Sequence, residues 1–262
     1  MLQTTGVRYE LDGAVAVITL NRPERRNALD QSTIEGLTEA FSMARDAGEV
    51  RAVVLTGAGR GFCSGADLAV FADRPSPEQV YQYLVQFYQP LMQLICTIEK
   101  PVIGAINGTA AGAGAGLALA CDLRVMADNG GLLQAFSNIG LVPDAGASWF
   151  FARLIGYSRA YELTIQGEQI PAARCLELGL TNRIAPADRL LPEALAWATQ
   201  LAQRPTLALG LTKRALDYAL QHDLASSIEY EAQLQKQTIV SDDHREGVAA
   251  FLEKRVPQFK GR

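Results

Sequence analysis

The chain has 262 residues, 48% of them hydrophobic and 20% charged, with a formal net charge of −4. That balance suits a globular protein with a sizeable core and excludes a disordered or low-complexity chain. With no basic excess there is no footprint for nucleic acid or an anionic membrane surface, so any anionic ligand must be held by local Arg and Lys.

The N-terminal MLQTTGVRYELDG has neither a basic segment nor an apolar one, so no secretory signal is expected. Short β-branched runs follow at Ala14–Leu20, Ala52–Thr56 and Val102–Ile106. Their apolar residues run on rather than alternate, which predicts strands buried on both faces. Between them, Gln31–Arg45 has helical periodicity and opens on Ser32-x-x-Glu35, a capping-box pattern. Ala72–Pro77 (ADRPSP) reads as a surface loop, and Glu78–Thr97 as a second long helix.

Strands alternating with helices predict an α/β fold with a parallel-rich sheet. After about residue 190 the strand signal ends. Leu190–Gln203, Thr206–Gln221, Leu224–Ser241 and Asp243–Arg255 read as helices, the first two parted by Arg204-Pro205. Two regions are expected: an α/β core over 1–190 and a helical region over 191–262.

Cys63, Cys96, Cys121 and Cys175 stand far apart with no C-x-x-C pair, which predicts buried thiols in a reducing, cytoplasmic setting. The most apolar stretch, 103–120, is broken by Gly and Asn and falls short of the ~18 unbroken residues of a spanning helix. No membrane association is expected.

Three segments carry candidate chemistry. Gly57–Leu68 (GAGRGFCSGADL) follows a strand, but Phe62 stands where a dinucleotide loop needs its third glycine. Asn107–Asp122 (NGTAAGAGAGLALACD) follows another strand; its small residues suit either close helix packing or close approach to a ligand. It lacks the Gly-Lys-Ser/Thr of a phosphate loop. Two such strand-to-helix junctions can each offer a backbone N–H, which together would make an oxyanion hole; one donor is typically worth ~3 kcal/mol. The third segment, Phe136–Gly146 (FSNIGLVPDAG), places Asp144 in a turn. Asp there is ordinarily a turn former or helix cap, but in apolar surroundings its pKa would rise and suit it to moving a proton. With only two histidines, His222 and His244, and no H-x-x-x-H or G-x-S-x-G, the sequence argues against a metal centre or a Ser-His-Asp triad.

These residues resemble the crotonase (enoyl-CoA hydratase/isomerase) superfamily almost end to end. The match runs through Asn21-Arg22-Pro23, Asn27-Ala28-Leu29, Gly61–Leu68, Asn107–Gly114, Gly140–Gly146 and Glu246–Arg255. The resemblance implies a spiral core of ββα units and a C-terminal helical trimerisation region, built as a homotrimer or dimer of trimers. It implies a coenzyme A thioester as substrate, with no permanently bound cofactor. It also implies an oxyanion hole from the N–H groups of Ala66 and Ala113, the latter a position usually held by Gly. Arg25, Ala28, Leu29, Ala66, Asp67 and Leu68 would hold coenzyme A, with Phe251 and Lys254 reaching it from the C-terminal region of the same or a neighbouring subunit.

Hydratases of the family use two glutamates, which fall here on Gly116 and Phe136. Neither residue moves protons, so water addition is not expected. Asp144 matches the acid of several isomerases and of the dehalogenase branch. The wording of its segment looks most like the ring-1,2-epoxyphenylacetyl-CoA isomerase branch. The implied activity is an acyl-CoA isomerase; the alternatives are a dehalogenase or other crotonase-type lyase or hydrolase, and a non-catalytic acyl-CoA-binding homologue. Phe136, Trp149 and Phe150 are candidates either for an acyl pocket or for plain core.

Overall fold

The computed structural model describes residues 2–4, 6–71 and 75–262. β1 (Leu2–Thr4), β2 (Val7–Asp12) and β3 (Val15–Leu20) form an antiparallel edge. β4 (Ala52–Gly57), β5 (Val102–Ile106), β7 (Leu123–Ala127) and β10 (Arg183–Ala185) add to it in parallel, in the order β1-β2-β3-β4-β5-β7-β10. A small second sheet pairs β6 (Thr109–Ala111), β8 (Gly131–Leu133) and β9 (Gln169–Pro171) in the order β6-β8-β9.

The three runs expected as doubly buried strands are buried at every strand position. Successive residues face opposite sides, so one strand serves two cores. Val53 and Leu55 join Ile18, Leu37, Phe41 and Leu91 on one face, while Ala52 and Val54 join Val15, Ile103 and Val125 on the other.

The first core is covered by α1 (Gln31–Asp46), α3 (Gln89–Thr97) and α4 (Ala113–Ala120). α1 starts as expected but with a different cap. Asp30, not Ser32, is the N-cap, its carboxylate accepting from the Thr33 N–H at 2.8 Å, and the Ser32 hydroxyl donates to the same oxygen. Asp in this position removes one orphan donor of the first turn, which Ser32, one residue inside the helix, cannot do. A capping box does occur at Ser76–Gln79, opening α2 (Pro77–Tyr83). The long helix expected over 78–97 is thus α2 and α3 joined through a π turn at Leu84–Tyr88. Of the loop expected at 72–77, Ala72–Arg74 lie outside the described residues.

α5 (Ala147–Ile155), α6 (Tyr157–Gln166) and α7 (Ala172–Glu177) lead to β10. α8 (Leu190–Ala202) then lies across the second face, burying Leu190, Ala194, Ala198 and Ala202 against it. The boundary expected at 190/191 falls after the first residue of α8, which packs on the sheet. α9 (Thr206–Ala219), α10 (Leu224–Thr238) and α11 (Asp242–Glu253) follow it. Arg51 ties the C-terminus back, donating to the Phe259 carbonyl at 3.0 Å and the Thr206 hydroxyl at 2.9 Å. All four cysteines are free; Cys63, Cys121 and Cys175 are buried, whereas Cys96, expected buried, is only partly so. Among the described residues no helix is long and apolar enough to cross a membrane.

Candidate active site

The loop after β4 is clamped between two neighbours. On one side, Leu29 pairs with Ala66 as an isolated parallel bridge: the Leu29 N–H donates to the Gly65 carbonyl at 2.8 Å and the Asp67 N–H to the Leu29 carbonyl at 2.9 Å. On the other, Cys63 bridges Ala110, and the Ala111 N–H donates to the Cys63 carbonyl at 2.8 Å. In a bridge of this kind the flanking residues make the bonds. The N–H of Ala66 therefore points away from Leu29, and among the described residues no acceptor takes it.

Ala113 is the first residue of α4, so its N–H has no partner within the helix, and none is found outside it among the described residues. The two alanines meet through Gly65. With φ +90, Gly65 adopts a conformation that favours glycine, and a β-carbon there would stand 2.7 Å from the Ala111 carbonyl oxygen and 3.3 Å from the Ala113 nitrogen. The structure thus brings together the two N–H groups expected to form an oxyanion hole. Ala113 is 1% exposed, so its methyl is packed away. Ala113 sits at the start of α4, where negative charge is favoured.

Two residues of the N-terminal motifs, Asn27 and Arg22, hold this loop. Asn27, 1% exposed and at φ 55, donates its side-chain amide to the carbonyls of Ala58, Gly61 and Phe62 at 2.9, 2.9 and 3.1 Å. Arg22 pairs with Asp30 at 3.0 Å and Asp67 at 3.2 Å, and donates to the Ala28 carbonyl at 2.8 Å. Asn21-Arg22-Pro23 and Asn27-Ala28-Leu29 flag these residues only as a motif; the three carbonyls on the Asn27 amide and the Asp67 partner of Arg22 lie 31 to 45 residues further along the chain.

Of the residues expected to hold coenzyme A, Arg25 and Leu68 are exposed, Ala66 and Asp67 half-buried, and Ala28 and Leu29 buried. Arg25 and Leu68 are thus open to a ligand, while Leu29 serves through its backbone. Phe251 is exposed along a groove of about 720 Å³ with Leu216, Leu234 and Val248, and Lys254 ends α11 at φ 57.

Cys63 lies in the same loop but is no nucleophile. Its thiol donates to the Asn27 carbonyl at 3.1 Å, and burial, only partly offset by a backbone hydrogen bond from Gly65, pushes its pKa up to about 12.

Asp144 stands at the other wall. It precedes α5 but does not cap it; Gly146 takes the cap position. The turn is drawn tight by Ala145 at φ 48 and Gly146 at φ 73. Oδ1 of Asp144 is buried with no hydrogen-bond partner, and loss of hydration alone raises its pKa to about 6. The turn rests on α4. A β-carbon on Gly116 would stand 2.6 Å from the Ala145 carbonyl oxygen, and Gly116 is one turn along α4 from Ala113, on the same side.

Phe136, 5% exposed, lies beside Gly112, whose imagined β-carbon would be 3.8 Å from its ring. Trp149 and Phe150 instead line a separate cavity of about 480 Å³ with Lys213 and Leu216, and Arg153 stacks on Trp149 at 3.9 Å. Among the described residues no group of three or more His, Cys, Asp or Glu side chains is placed to hold a metal ion.

A family model for enoyl-CoA hydratase/isomerase matches residues 10–262. The chain is 44% identical over 98% of both chains to a Rhodobacter capsulatus protein named probable enoyl-CoA hydratase. It is 39% identical to the 1,2-epoxyphenylacetyl-CoA isomerase of Escherichia coli, over 96% of this chain and 97% of that one. The crystal structure of an enoyl-CoA hydratase from a Polaromonas species superposes with a TM-score of 0.92 at 38% identity, over 97% of this chain and 99% of that one. The expected crotonase-type α/β fold with its helical C-terminal region is thus present. The chain belongs to the enoyl-CoA hydratase/isomerase family of the crotonase superfamily, enzymes that act on coenzyme A thioesters without a permanently bound cofactor.

Proposed function

We propose that this chain is an acyl-CoA isomerase that moves a double bond through a thioester enolate, with Asp144 carrying the proton. The observation that carries this reading is the Asp144 carboxyl: buried at Oδ1, without a partner, and raised by desolvation to about 6, close to a working pH. Positions 116 and 136, where a hydratase would carry glutamates, hold Gly and Phe.

The thioester carbonyl oxygen sits between the N–H groups of Ala66 and Ala113. Asp144 as carboxylate takes a proton from C2 of a 3-enoyl thioester. The C–H electrons form the enolate, whose oxygen the two N–H groups stabilise by ~3 kcal/mol each. Protonated Asp144 then returns the same proton to C4, and the double bond settles between C2 and C3. No proton is gained or lost overall. A ring epoxide vicinal to the thioester side chain would use the same acid to assist C–O opening.

The exposed apolar residues along the C-terminal groove, Leu216, Val248, Phe251 and Leu252, support a homotrimer or dimer of trimers built there, with Phe251 and Lys254 near coenzyme A. Arg25, Ala28, Asp67 and Leu68 are assigned to the cofactor portion of the substrate.

The test is turnover of 3-enoyl-CoA, followed by absorbance of the conjugated 2-enoyl thioester, in wild type and Asp144→Asn. A loss of ~10² or more in the variant supports the reading. Equal rates remove Asp144 from the chemistry. An aspartyl ester trapped with a haloaryl thioester would favour the dehalogenase alternative instead, and tight binding without turnover of any thioester the non-catalytic one.

A further inference from the structure

A second cavity, of about 480 Å³, lies at the other end of the sheet from the two alanine N–H groups. It is lined by Arg51 and Lys100, which stand just before β4 and β5, whereas the segments carrying Ala66 and Ala113 follow the far ends of those strands. β4 has six residues and so spans ~20 Å, which separates this cavity from the proposed acyl site.

The lining is cationic. Arg45, Arg51, Lys100 and Lys260 face the cavity with a single carboxylate, Glu99. Glu99 is already paired with Arg214 at 3.0 Å, and Arg45 with Asp46 at 2.7 Å. Arg51 and Lys100, both half-buried, instead donate to neutral oxygens at 2.6 to 3.0 Å. Arg51 uses the Arg204 and Phe259 carbonyls and the Thr206 hydroxyl, Lys100 the carbonyls of Ala44, Arg45 and Ala47. Loss of hydration lowers the pKa of both; Asp243 offsets this in part at Arg51, and Glu49 and Asp46 at Lys100. The start of α9 adds donors: Thr206 and Leu207 line the cavity, no side chain caps the helix, and their N–H groups have no acceptor among the described residues.

We infer that this cavity is a second ligand site, taking a phosphate-type dianion, either inorganic phosphate or the phosphoryl group of a small monoester. The dianion supplies the counter-charge that Arg51, Lys100 and Lys260 lack. Its oxygens accept from the Arg51 N–H groups still unused, from Lys260 and from the first turn of α9. Lys100, with its three N–H groups taken, contributes through its charge, which is screened less in a half-buried position than in water. The bound anion joins the segment ending at Gly261 to the start of the sheet.

The experiment is calorimetric titration of the full chain with sodium phosphate, in saturating free coenzyme A and at ionic strength fixed with sodium chloride, with thermal melts run alongside. Phosphate should bind once per chain and raise the melting temperature. Arg45→Met/Lys260→Met alters two exposed side chains and should weaken phosphate about tenfold or more. Glycerol 3-phosphate distinguishes the sources: tighter binding than inorganic phosphate assigns the cavity to a monoester, equal or weaker binding to phosphate itself. Neither heat nor a melting shift up to ~10 mM phosphate overturns the inference in wild type alone. So does a shift that sodium chloride reproduces, binding that vanishes once coenzyme A is present, or a double variant that binds like wild type.

Discussion

Gly116 and Ala145 touch so closely that a β-carbon on Gly116 would lie 2.6 Å from the Ala145 carbonyl oxygen and 3.1 Å from the Ala145 β-carbon. The turn bearing Asp144 has moved into the space that a side chain at position 116 would need. Acid at 144 and glycine at 116 are therefore linked: the turn reaches α4 only because α4 is bare there.

Gly116→Glu, which restores a hydratase-type residue, is expected to give no hydratase activity. The added side chain must displace the Asp144 turn or α4 itself, which overpacks the core by about 1–3 kcal/mol or more. Denaturant unfolding would show the lower midpoint. A stable variant that hydrates 2-enoyl-CoA would contradict the steric argument.

Asp144 predicts opposite signs for stability and activity. Its pKa is raised from 3.8 to about 6 by burial, so the folded chain holds a proton that the unfolded chain releases between those values. Stability from this group is present below pH ~3.8 and is lost as pH rises through about 6, on the order of 2–3 kcal/mol at most. Asp144→Asn should unfold at a higher temperature than wild type at pH 7.5, with the gap closing towards pH 4. Activity should run the other way: kcat/KM of wild type falls as pH drops through about 6, when the base becomes protonated.

Gly65→Ala should separate catalysis from binding. The φ of +90 strains any L side chain, and the methyl meets the Ala111 carbonyl at 2.7 Å. Relief must shift Ala66 relative to Ala113, so kcat is expected to fall ~10²-fold, as for loss of an oxyanion donor. Affinity for free coenzyme A, measured by calorimetry, should change far less, because Arg25 and Leu68 lie outside the strained bridge.

Asn27 is expected to be a stability residue before it is anything else. One buried amide serves three loop carbonyls, and Asn tolerates the left-handed φ of 55 better than Ala does. Asn27→Ala should cost about 2–4 kcal/mol in urea unfolding. Asn27→Asp should be worse, since it sets a carboxylate against the same carbonyl oxygens. An Asp variant as stable as wild type would overturn this role.

Much of the frame was legible in the residues. Ala52–Thr56 and Val102–Ile106 read as doubly buried strands because each side of the sheet meets its own apolar layer, and both are central strands of the sheet. The α1 cap was misplaced by two residues, because Asp30 and Ser32 both offer an oxygen and only backbone conformation chooses between them. The single helix expected over 78–97 contained its own warning in Pro90. A proline within a helix can end it, kink it or widen it, and local sequence does not say which.

By itself the sequence determined which groups exist: two glycine-rich junctions, one acid at 144, and no acid at 116 or 136. It also determined local backbone options, because glycine alone relaxes at positions such as 65. Tertiary structure decided which of these groups meet. The N–H groups of Ala66 and Ala113 are 47 residues apart in the chain and become neighbours only because Leu29 and Ala110 clamp the loop between them. The pKa of Asp144 and the unpaired hydroxyl of Tyr88 belong to the same class. Both follow from removing water around a polar atom, and which atoms lose their water is settled by packing between distant segments.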